Sequence, residues 1–359
     1  MSLAEAIVTR NCAGRALPRC GVCSNLFPAL TDDERATLDR LRKHSTFASK
    51  ELLFGQGETS ARVFSVSRGV VRIYKLLPDL IEGRVHSGVI SGAGSVVKQG
   101  SGVLTLGVRE TSVPFSFLDA QKQPQGYTVD LCLRVAEAIK SELKLPRLEV
   151  RYVLVTSANR IGAVKDGRID LECGSTTNTA DRQKEVAFAY TTFVAGIKLL
   201  AKKASNVVTI EDLRGKRVVV TAGTTSEKMI ATLNDERVLK LDIVRAKDHN
   251  ESFRAVETGT AVAFPMDDVL LYGLISKAAR PDDFAVVGRY LSVEPYAIMM
   301  RKDDPAFERL VDRTLNEMFQ SGEIRRVYAK WFASKDLTVP MSQHLREAFR
   351  VPNTHPAWP

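Results

Sequence analysis

At 359 residues, with 44% hydrophobic and 26% charged side chains, the chain is long enough for two or three domains with a sizeable core. Its formal net charge of +9 is spread along the sequence without a long Lys/Arg block, which suits an anionic ligand and is weak evidence for nucleic acid or a membrane surface as partner. No apolar run is long enough to span a bilayer, and Arg10, Arg15 and Arg19 interrupt what would be the apolar core of a secretory signal.

Residues 1–80 read as one unit. Thr31-Asp-Asp-Glu34 forms a capping box ahead of a helix carrying Leu38 and Leu41. Strand-like pieces follow at Glu51–Phe54 and Val63–Leu77, with turns at Gly55-Gln-Gly57 and Arg68-Gly69. Residues 81–102 are rich in mixed Gly and Ser and predict a flexible linker. The cysteines number 5, an odd count that argues against a full disulfide framework. Cys12, Cys20 and Cys23 cluster near the start; Cys132, on an amphipathic helix, and Cys173, on a strand, read as buried small hydrophobes.

From residue 103 the pattern is regular. Strands are predicted at Val103–Val108, Leu148–Val155, Arg168–Cys173, Arg217–Ala222, Leu241–Ala246, Ala261–Phe264, Ala285–Gly288 and Tyr296–Arg301, with an extended segment at Phe193–Lys202. Helices are predicted at Gly126–Leu143, Asn159–Asp166, Thr225–Leu233, His249–Glu257, Asp267–Ser276, Pro305–Gln320 and Gly322–Phe332. This alternation predicts an α/β fold with parallel strands. The series runs through two similar halves and returns, so we expect two lobes joined by crossovers near Phe193–Ile197 and Val286–Tyr290. Lobe 1 takes residues 103–193 and 290–340, lobe 2 takes 197–286, and 341–359 form a C-terminal tail. A ligand would bind in the cleft, where strand carboxyl ends collect.

Polar clusters fall at those ends. They are Arg109 to Phe115, Thr156-Ser-Ala-Asn-Arg160, Gly174 to Arg182, Thr221 to Glu227 and Pro265-Met-Asp-Asp268, with His249 as a further point. In Gly174 to Arg182, Ser175, Thr176, Thr177 and Asn178 make a polar turn and Thr179 caps a short helix. Together the clusters supply three arginines, hydroxyls at helix N-termini, one imidazole and one carboxylate. That inventory fits an amino acid with two carboxylates, each paired to guanidinium, and an aspartate for the ammonium. Other readings stay open: Asp267 and Asp268 suit a helix N-cap, His249 a cap or a surface position, and Arg109 a solvated loop.

Several runs resemble the glutamate/aspartate-binding proteins of ABC amino-acid importers, the family 3 solute-binding proteins. They include Gly107-Val-Arg-Glu-Thr-Ser-Val-Pro-Phe-Ser116, Glu172-Cys-Gly-Ser-Thr-Thr-Asn178, Val218 to Glu227, Ala246-Lys-Asp-His249, Ala261-Val-Ala-Phe264 and Met300-Arg-Lys-Asp-Asp-Pro305. The resemblance covers about residues 100–350 and implies a two-lobed, type II periplasmic-binding-protein-like α/β domain that closes about a hinge on L-glutamate or L-aspartate. By that resemblance Arg182, Thr177 and Ser175 would hold the α-carboxylate, with Thr225 adding a donor. Asp267 would face the ammonium, and Arg109, Ser157, Arg160 and His249 would hold the side-chain carboxylate. It implies no cofactor and no catalysis, a monomer, and membrane permease subunits as partners.

The run Phe54 to Glu58 followed by Val63 to Lys75 resembles part of the β-roll sensor of cyclic-AMP-receptor and fumarate/nitrate regulators, and the N-terminal cysteines resemble the cluster ligands of some of them. A truncated sensor fragment joined by fusion or by a gene-start error is the expectation for residues 1–80. The family resemblance implies the periplasm; the missing signal pattern leaves cytoplasmic retention open. Two other functions compete: a dehydratase on the same scaffold, with His249 or Glu227 as its acid or base, and a redox or ligand sensor acting through residues 1–80.

Overall fold

A computed structural model describes residues 101–302, 304–334 and 337–356, together with three short strands nearer the start. Those strands, β1 (Glu5–Val8), β2 (Glu51–Leu52) and β3 (Val71–Tyr74), pair antiparallel in the order β2-β1-β3. They belong to a compact unit of residues 1–87, and the remainder forms a second unit. The Thr31 capping box, Cys12, Cys20, Cys23 and most of the sensor-like run lie outside the described residues.

In the second unit, β4 (Ser101–Val108) leads into a small sheet of β5 (Thr111–Ser112), β6 (Ser116–Leu118) and β7 (Pro124–Gln125). Helix α1 (Tyr127–Glu142) follows, then β8 (Arg147–Leu154), α2 (Arg160–Lys165), β9 (Leu171–Glu172), α3 (Ala180–Gln183) and β10 (Ala187–Phe188). The chain crosses to the second lobe on β11 (Phe193–Ala195) and continues as β12 (Ile197–Lys202), β13 (Arg217–Thr221), α4 (Thr225–Glu236), β14 (Asp242–Ala246) and α5 (His249–Glu257). Strand β15 (Ala263–Asp267), α6 (Asp268–Ile275) and β16 (Phe284–Val287) complete that lobe. The return runs on β17 (Glu294–Tyr296) to β18 (Met299–Met300), α7 (Pro305–Ser321), α8 (Glu323–Phe332) and α9 (Gln343–Arg350).

Each lobe holds a five-stranded sheet, β10-β18-β9-β4-β8 in lobe 1 and β14-β13-β15-β12-β16 in lobe 2. The sheets are mixed: the expected parallel strands are joined in each by one antiparallel strand. β4 runs parallel to β8 and β9, and β13 to β14 and β15. Strands β12 and β18, which follow the crossovers, enter antiparallel because the chain arrives from the opposite end of the lobe. The crossovers pair as a two-stranded hinge, with Phe193 opposite Tyr296 and Ala195 opposite Glu294, so the return lies a few residues beyond its predicted place.

Packing follows the periodicity. Leu104, Leu106 and Val108 alternate along β4 and are buried. Leu131, Cys132, Val135, Ala136 and Ile139 form the buried stripe of α1. Aromatic rings seat the hinge on lobe 1: Phe115 lies 4.8 Å from Phe193 and 5.1 Å from Tyr296, and Phe193 lies 5.0 Å from Phe332. The Tyr127 hydroxyl adds a 2.9 Å bond to Thr192 O.

Two expectations change here. Cys132 and Cys173 are buried, but as a disulfide with Cα atoms 6.2 Å apart, not as separate apolar residues. A separation of 41 residues along the chain hid their proximity. The tail from 341 contains α9, whose Phe349 stacks on Phe319 at 4.7 Å. Beyond it Thr354 O accepts from Asn178 Nδ2 at 3.0 Å and from Gln183 Nε2 at 2.8 Å, which ties the tail to the base of the Gly174–Arg182 turn.

Candidate ligand-binding site

Strand ends deliver the polar groups. Arg109 follows β4; its N–H donates to Ser116 Oγ at 2.9 Å and its Nη2 to Ser157 Oγ at 2.6 Å. Ser157 sits in the turn after β8, where Thr156 N donates to Asn159 Oδ1 at 2.8 Å and Asn159 N to Thr156 Oγ1 at 3.2 Å. That reciprocal turn starts α2 and places Arg160 at its first position. Beyond β9 the chain passes between two side chains at Gly174. A Cβ there would lie 2.3 Å from Glu172 Oε1 and 2.9 Å from Arg109 Cγ, so only glycine fits. Ser175 and Thr177 follow, and Thr179 Oγ1 accepts from Arg182 N at 3.2 Å as an N-cap.

Lobe 2 supplies helix N-termini. Thr224 caps α4, accepting from Glu227 N at 3.1 Å, and leaves Thr225 at the first helical position. Asp248 caps α5, accepting from Glu251 N at 2.9 Å, and so presents His249. Strand β15 ends in Met266 and Asp267.

These ends surround a narrow space lined by Ser157, Arg160, Ser175 and Thr177 from lobe 1 and by Thr224, Thr225, His249, Met266 and Asp267 from lobe 2. Arg109 stands behind Ser157. Arg182 spans the lobes, donating through Nη1 to Thr177 O at 2.8 Å and through Nη2 to Gly223 O at 3.2 Å. The lobes are in contact beside it. Gly223, at φ 78°, lies so near lobe 1 that a Cβ would be 2.6 Å from Ala158 Cα and 2.7 Å from Ser157 O.

The open alternatives resolve on this geometry. Arg109 is buried, not a solvated loop residue, and His249 is buried, not at the surface. Asp268 does the backbone work, accepting from Val269 N at 2.9 Å, from Gly196 N at 3.4 Å and from the Tyr290 hydroxyl at 2.8 Å. Asp267 makes no capping bond; its Oδ2 accepts from the Tyr296 hydroxyl. The hydroxyls of Thr177 and Thr225 both donate to Glu294, so any donor they offer a carboxylate is the backbone N–H.

Burial sets the electrostatics. It pulls the Arg109 guanidinium down to about 9, helped by repulsion from Arg160 and opposed by Glu172. Arg182 is lowered to about 10 by burial and then by Arg160, and Arg160 itself is lowered by burial. His249 falls well below 6.5 through burial and the nearby Arg109 and Arg160, so its ring is neutral at pH 7. Asp267 is pushed well above 3.8 by burial and then by Glu294. Arg109 Nη1, Arg160 Nε, Ser175 Oγ and Asp267 Oδ1 are buried with no hydrogen-bond partner in the chain. Orphaned groups of this kind cost free energy unless something else meets them.

The sequence missed Glu172 and Glu294 as parts of the site. Glu172 is buried, accepts from Thr176 Oγ1 at 2.7 Å and offsets the charge of Arg109 and Arg160. In the sequence Glu172 lies on the predicted strand Arg168–Cys173, and a charge on a strand flanked by buried segments is the available signal. Glu294 carried no local signal of its role, because the two threonines it joins are 117 and 69 residues away. Among the described residues no group of His, Cys, Asp and Glu could hold a metal ion.

Two mixed α/β lobes, a paired hinge and a polar space between facing strand ends define a binding protein that closes on a small charged solute. Residues 104–334 match the model of the bacterial extracellular solute-binding proteins, family 3, and the chain belongs to that family. It is 45% identical over 280 residues to an L-glutamate/L-aspartate-binding protein of Pseudomonas aeruginosa, covering 76% of this chain and 92% of that one. It is 43% identical over 259 residues to a glutamate/aspartate import solute-binding protein of Escherichia coli, covering 70% and 86%. Among solved structures, an ancestral arginine-binding protein bound to arginine aligns with a TM-score of 0.59 at 27% identity, over 64% of this chain and 98% of that one. An ancestral amino-acid-binding protein described as a precursor of cyclohexadienyl dehydratase aligns with a TM-score of 0.54 at 31% identity, over 64% and 95%.

Proposed function

We propose that the chain binds an acidic amino acid, L-glutamate or L-aspartate, by closing its lobes, and that it serves as the substrate-binding component of an ABC importer. The observation that carries this reading is a cluster of three mutually repelling guanidinium groups, of which Arg160 lines the space while Arg109 and Arg182 stand behind it, with Arg109 Nη1 and Arg160 Nε left without partners in the chain. Arg109, Ser157, Arg160 and the neutral His249 form the distal end and take the side-chain carboxylate. Arg182 and Ser175, with N–H groups of the first turn of α4, take the α-carboxylate. Asp267 receives the ammonium, with Thr177 and Thr225 beside it. A ligand with a cationic side chain would set its charge against two guanidinium groups, so the likeness to an arginine-binding fold does not carry over to arginine as ligand.

Permease subunits in the membrane are the partners this reading requires, in keeping with the Escherichia coli relative's name as an import solute-binding protein. A periplasmic location draws on the family's extracellular character and on the Cys132–Cys173 bridge, a bond that persists in oxidising compartments.

Calorimetry of the full chain with glutamate, aspartate, glutamine and arginine tests the reading. Glutamate or aspartate should bind, arginine should not. Glutamine should be weaker by about 30-fold or more, because it leaves a buried guanidinium unmatched at a cost of about 2–5 kcal/mol. Equal affinities for glutamate and glutamine would remove Arg109 and Arg160 from the distal end.

A further inference from the structure

Hinge strand β17 carries a buried carboxylate that the contacts assigned above leave unused. Glu294 is 3% exposed and does not line the ligand space. Its Oε2 accepts from Thr177 Oγ1 at 2.6 Å and from Thr225 Oγ1 at 2.8 Å, and its Oε1 accepts from Ser292 Oγ at 2.6 Å. Ser292 Oγ in turn accepts from Ile197 N at 3.4 Å. Thr177 belongs to lobe 1 and Thr225 to lobe 2, while Ser292 and Ile197 sit at the two crossovers. One carboxylate therefore gathers both lobes and both crossovers.

The consequence follows from hydroxyl chemistry. A threonine hydroxyl has one hydrogen and two lone pairs. Both threonines line the ligand space, and both hydrogens point away from it, toward Glu294. What they show the ligand is lone pairs, which repel a carboxylate and accept from an ammonium. Asp267, whose Oδ1 is buried without a partner in the chain, lines the same space and is a third acceptor. The two threonine oxygens come together only when the lobes close, so the acceptor wall is complete only in the closed form.

We propose that Glu294 is a positioning residue for ligand selection: by taking the hydrogens of Thr177 and Thr225 it holds an acceptor wall for the ligand's ammonium, and so sets the preference for an amino acid over the deaminated dicarboxylate of the same length. The proposal rests on the acidic-amino-acid reading. The arginines can hold the two carboxylates of glutarate as readily as those of glutamate; they do not discriminate between them. Discrimination arises where glutarate leaves buried acceptors unmatched, the situation in which sites built to hydrogen-bond a group reject the analogue lacking it. In Glu294→Gln the amide nitrogen can turn toward the threonines and donate to them, which frees their hydrogens to face the ligand.

The test is calorimetric titration of the full chain with glutamate and with glutarate. The unaltered protein should prefer glutamate by about 100-fold or more. In Glu294→Gln glutamate should weaken by about tenfold or more, and glutarate should change by less than about threefold, so the ratio falls by about tenfold. If that variant fails to fold, the half-buried Thr225 serves instead: Thr225→Ala should lower the ratio and Thr225→Ser should restore it. A ratio unchanged in Glu294→Gln, or equal weakening of both ligands, overturns the proposal and leaves Glu294 a hinge brace. An unaltered protein that binds glutamate and glutarate equally also overturns it. A protein that binds neither glutamate nor aspartate overturns the underlying function instead.

Discussion

The two lobes are built to one plan and carry different chemistry. Each has three adjacent parallel strands followed by one antiparallel strand and an edge strand that pairs antiparallel with it, and each offers strand ends to the same space. Lobe 1 brings Arg109, Arg160 and Arg182, with Glu172 buried behind them, and is fixed by the Cys132–Cys173 bridge and the Phe115–Phe193–Phe332 cluster. Lobe 2 brings hydroxyls, a neutral imidazole and Asp267, mostly from helix N-termini. The contrast divides the labour of binding. Lobe 1 neutralises the ligand's negative charge and is preorganised to do so; lobe 2 completes the enclosure and reads the ligand's remaining groups. A ligand should dock on lobe 1 first and be captured when lobe 2 closes.

The sharpest way to break this division is to remove charge from lobe 1. Arg160→Ala deletes a buried guanidinium facing the distal end, and Arg182→Ala deletes the one that joins the lobes through Gly223 O. Each should cost about 3–5 kcal/mol of glutamate binding, a loss of some hundreds- to thousands-fold. Removing a lobe 2 hydroxyl, as in Thr225→Ala, should cost much less. Calorimetry that finds the hydroxyl loss as large as the arginine loss would dissolve the asymmetry.

The next effect concerns stability. The bridge closes a loop of 41 residues and pins Cys173, next to Gly174 of the binding turn, to α1. In the chain-entropy model a loop of that length is worth about 4 kcal/mol. The double variant Cys132→Ala, Cys173→Ala should therefore unfold at markedly lower denaturant concentration, as should the reduced protein. A variant as stable as the parent would show that lobe 1 gains its rigidity from packing alone.

The sequence makes most of this layout legible, because strand and helix periodicity does not depend on long-range partners. Helix α5 begins and ends at the predicted His249 and Glu257, and β13 differs by one residue from prediction. Direction was less legible: β12 and β18 have the right composition, but their antiparallel entry depends on where the crossovers emerge. In the site, the residues at strand ends could be named because hydroxyls and arginines cluster next to Gly and helix starts. Glu294, Tyr296 and the Cys132–Cys173 pair could not. Each acts through a partner far along the chain, and nothing in its own neighbourhood marks it. Helix α9 was missed because only Leu345 and Phe349 are buried on it, too few to set a period.

Closure itself can be sharpened at Gly223. A methyl group there would collide with Ala158 Cα and Ser157 O, and the positive φ adds strain for any L side chain. Gly223→Ala should hold the lobes slightly apart and weaken glutamate by about 1–3 kcal/mol, the range for overpacking a tight contact. Lobe 1 docking should survive, so X-ray scattering should report a more open average form with ligand present. Unchanged affinity together with an unchanged scattering radius would mean that the lobes need not meet at this point.

The smallest effect separates the lobes by pH. His249 lies in lobe 2 but is held neutral by burial and by Arg109 and Arg160, both in lobe 1. Its folded-state value lies well below 6.5, while an unfolded chain returns it to 6.5. Below 6.5 the unfolded state therefore binds the extra proton and the folded state does not. Stability is fully present above pH 6.5 and is lost as pH falls toward the depressed value, at up to about 1.4 kcal/mol per pH unit. Denaturant titrations between pH 7 and pH 5 should show that slope, and His249→Gln, which keeps a polar side chain and cannot take up a proton, should flatten it. Carboxylates titrate in both proteins, so the difference between the two curves isolates the imidazole. A slope that persists undiminished in His249→Gln would place the titrating group elsewhere and would weaken the link between the distal arginines of lobe 1 and the first turn of α5.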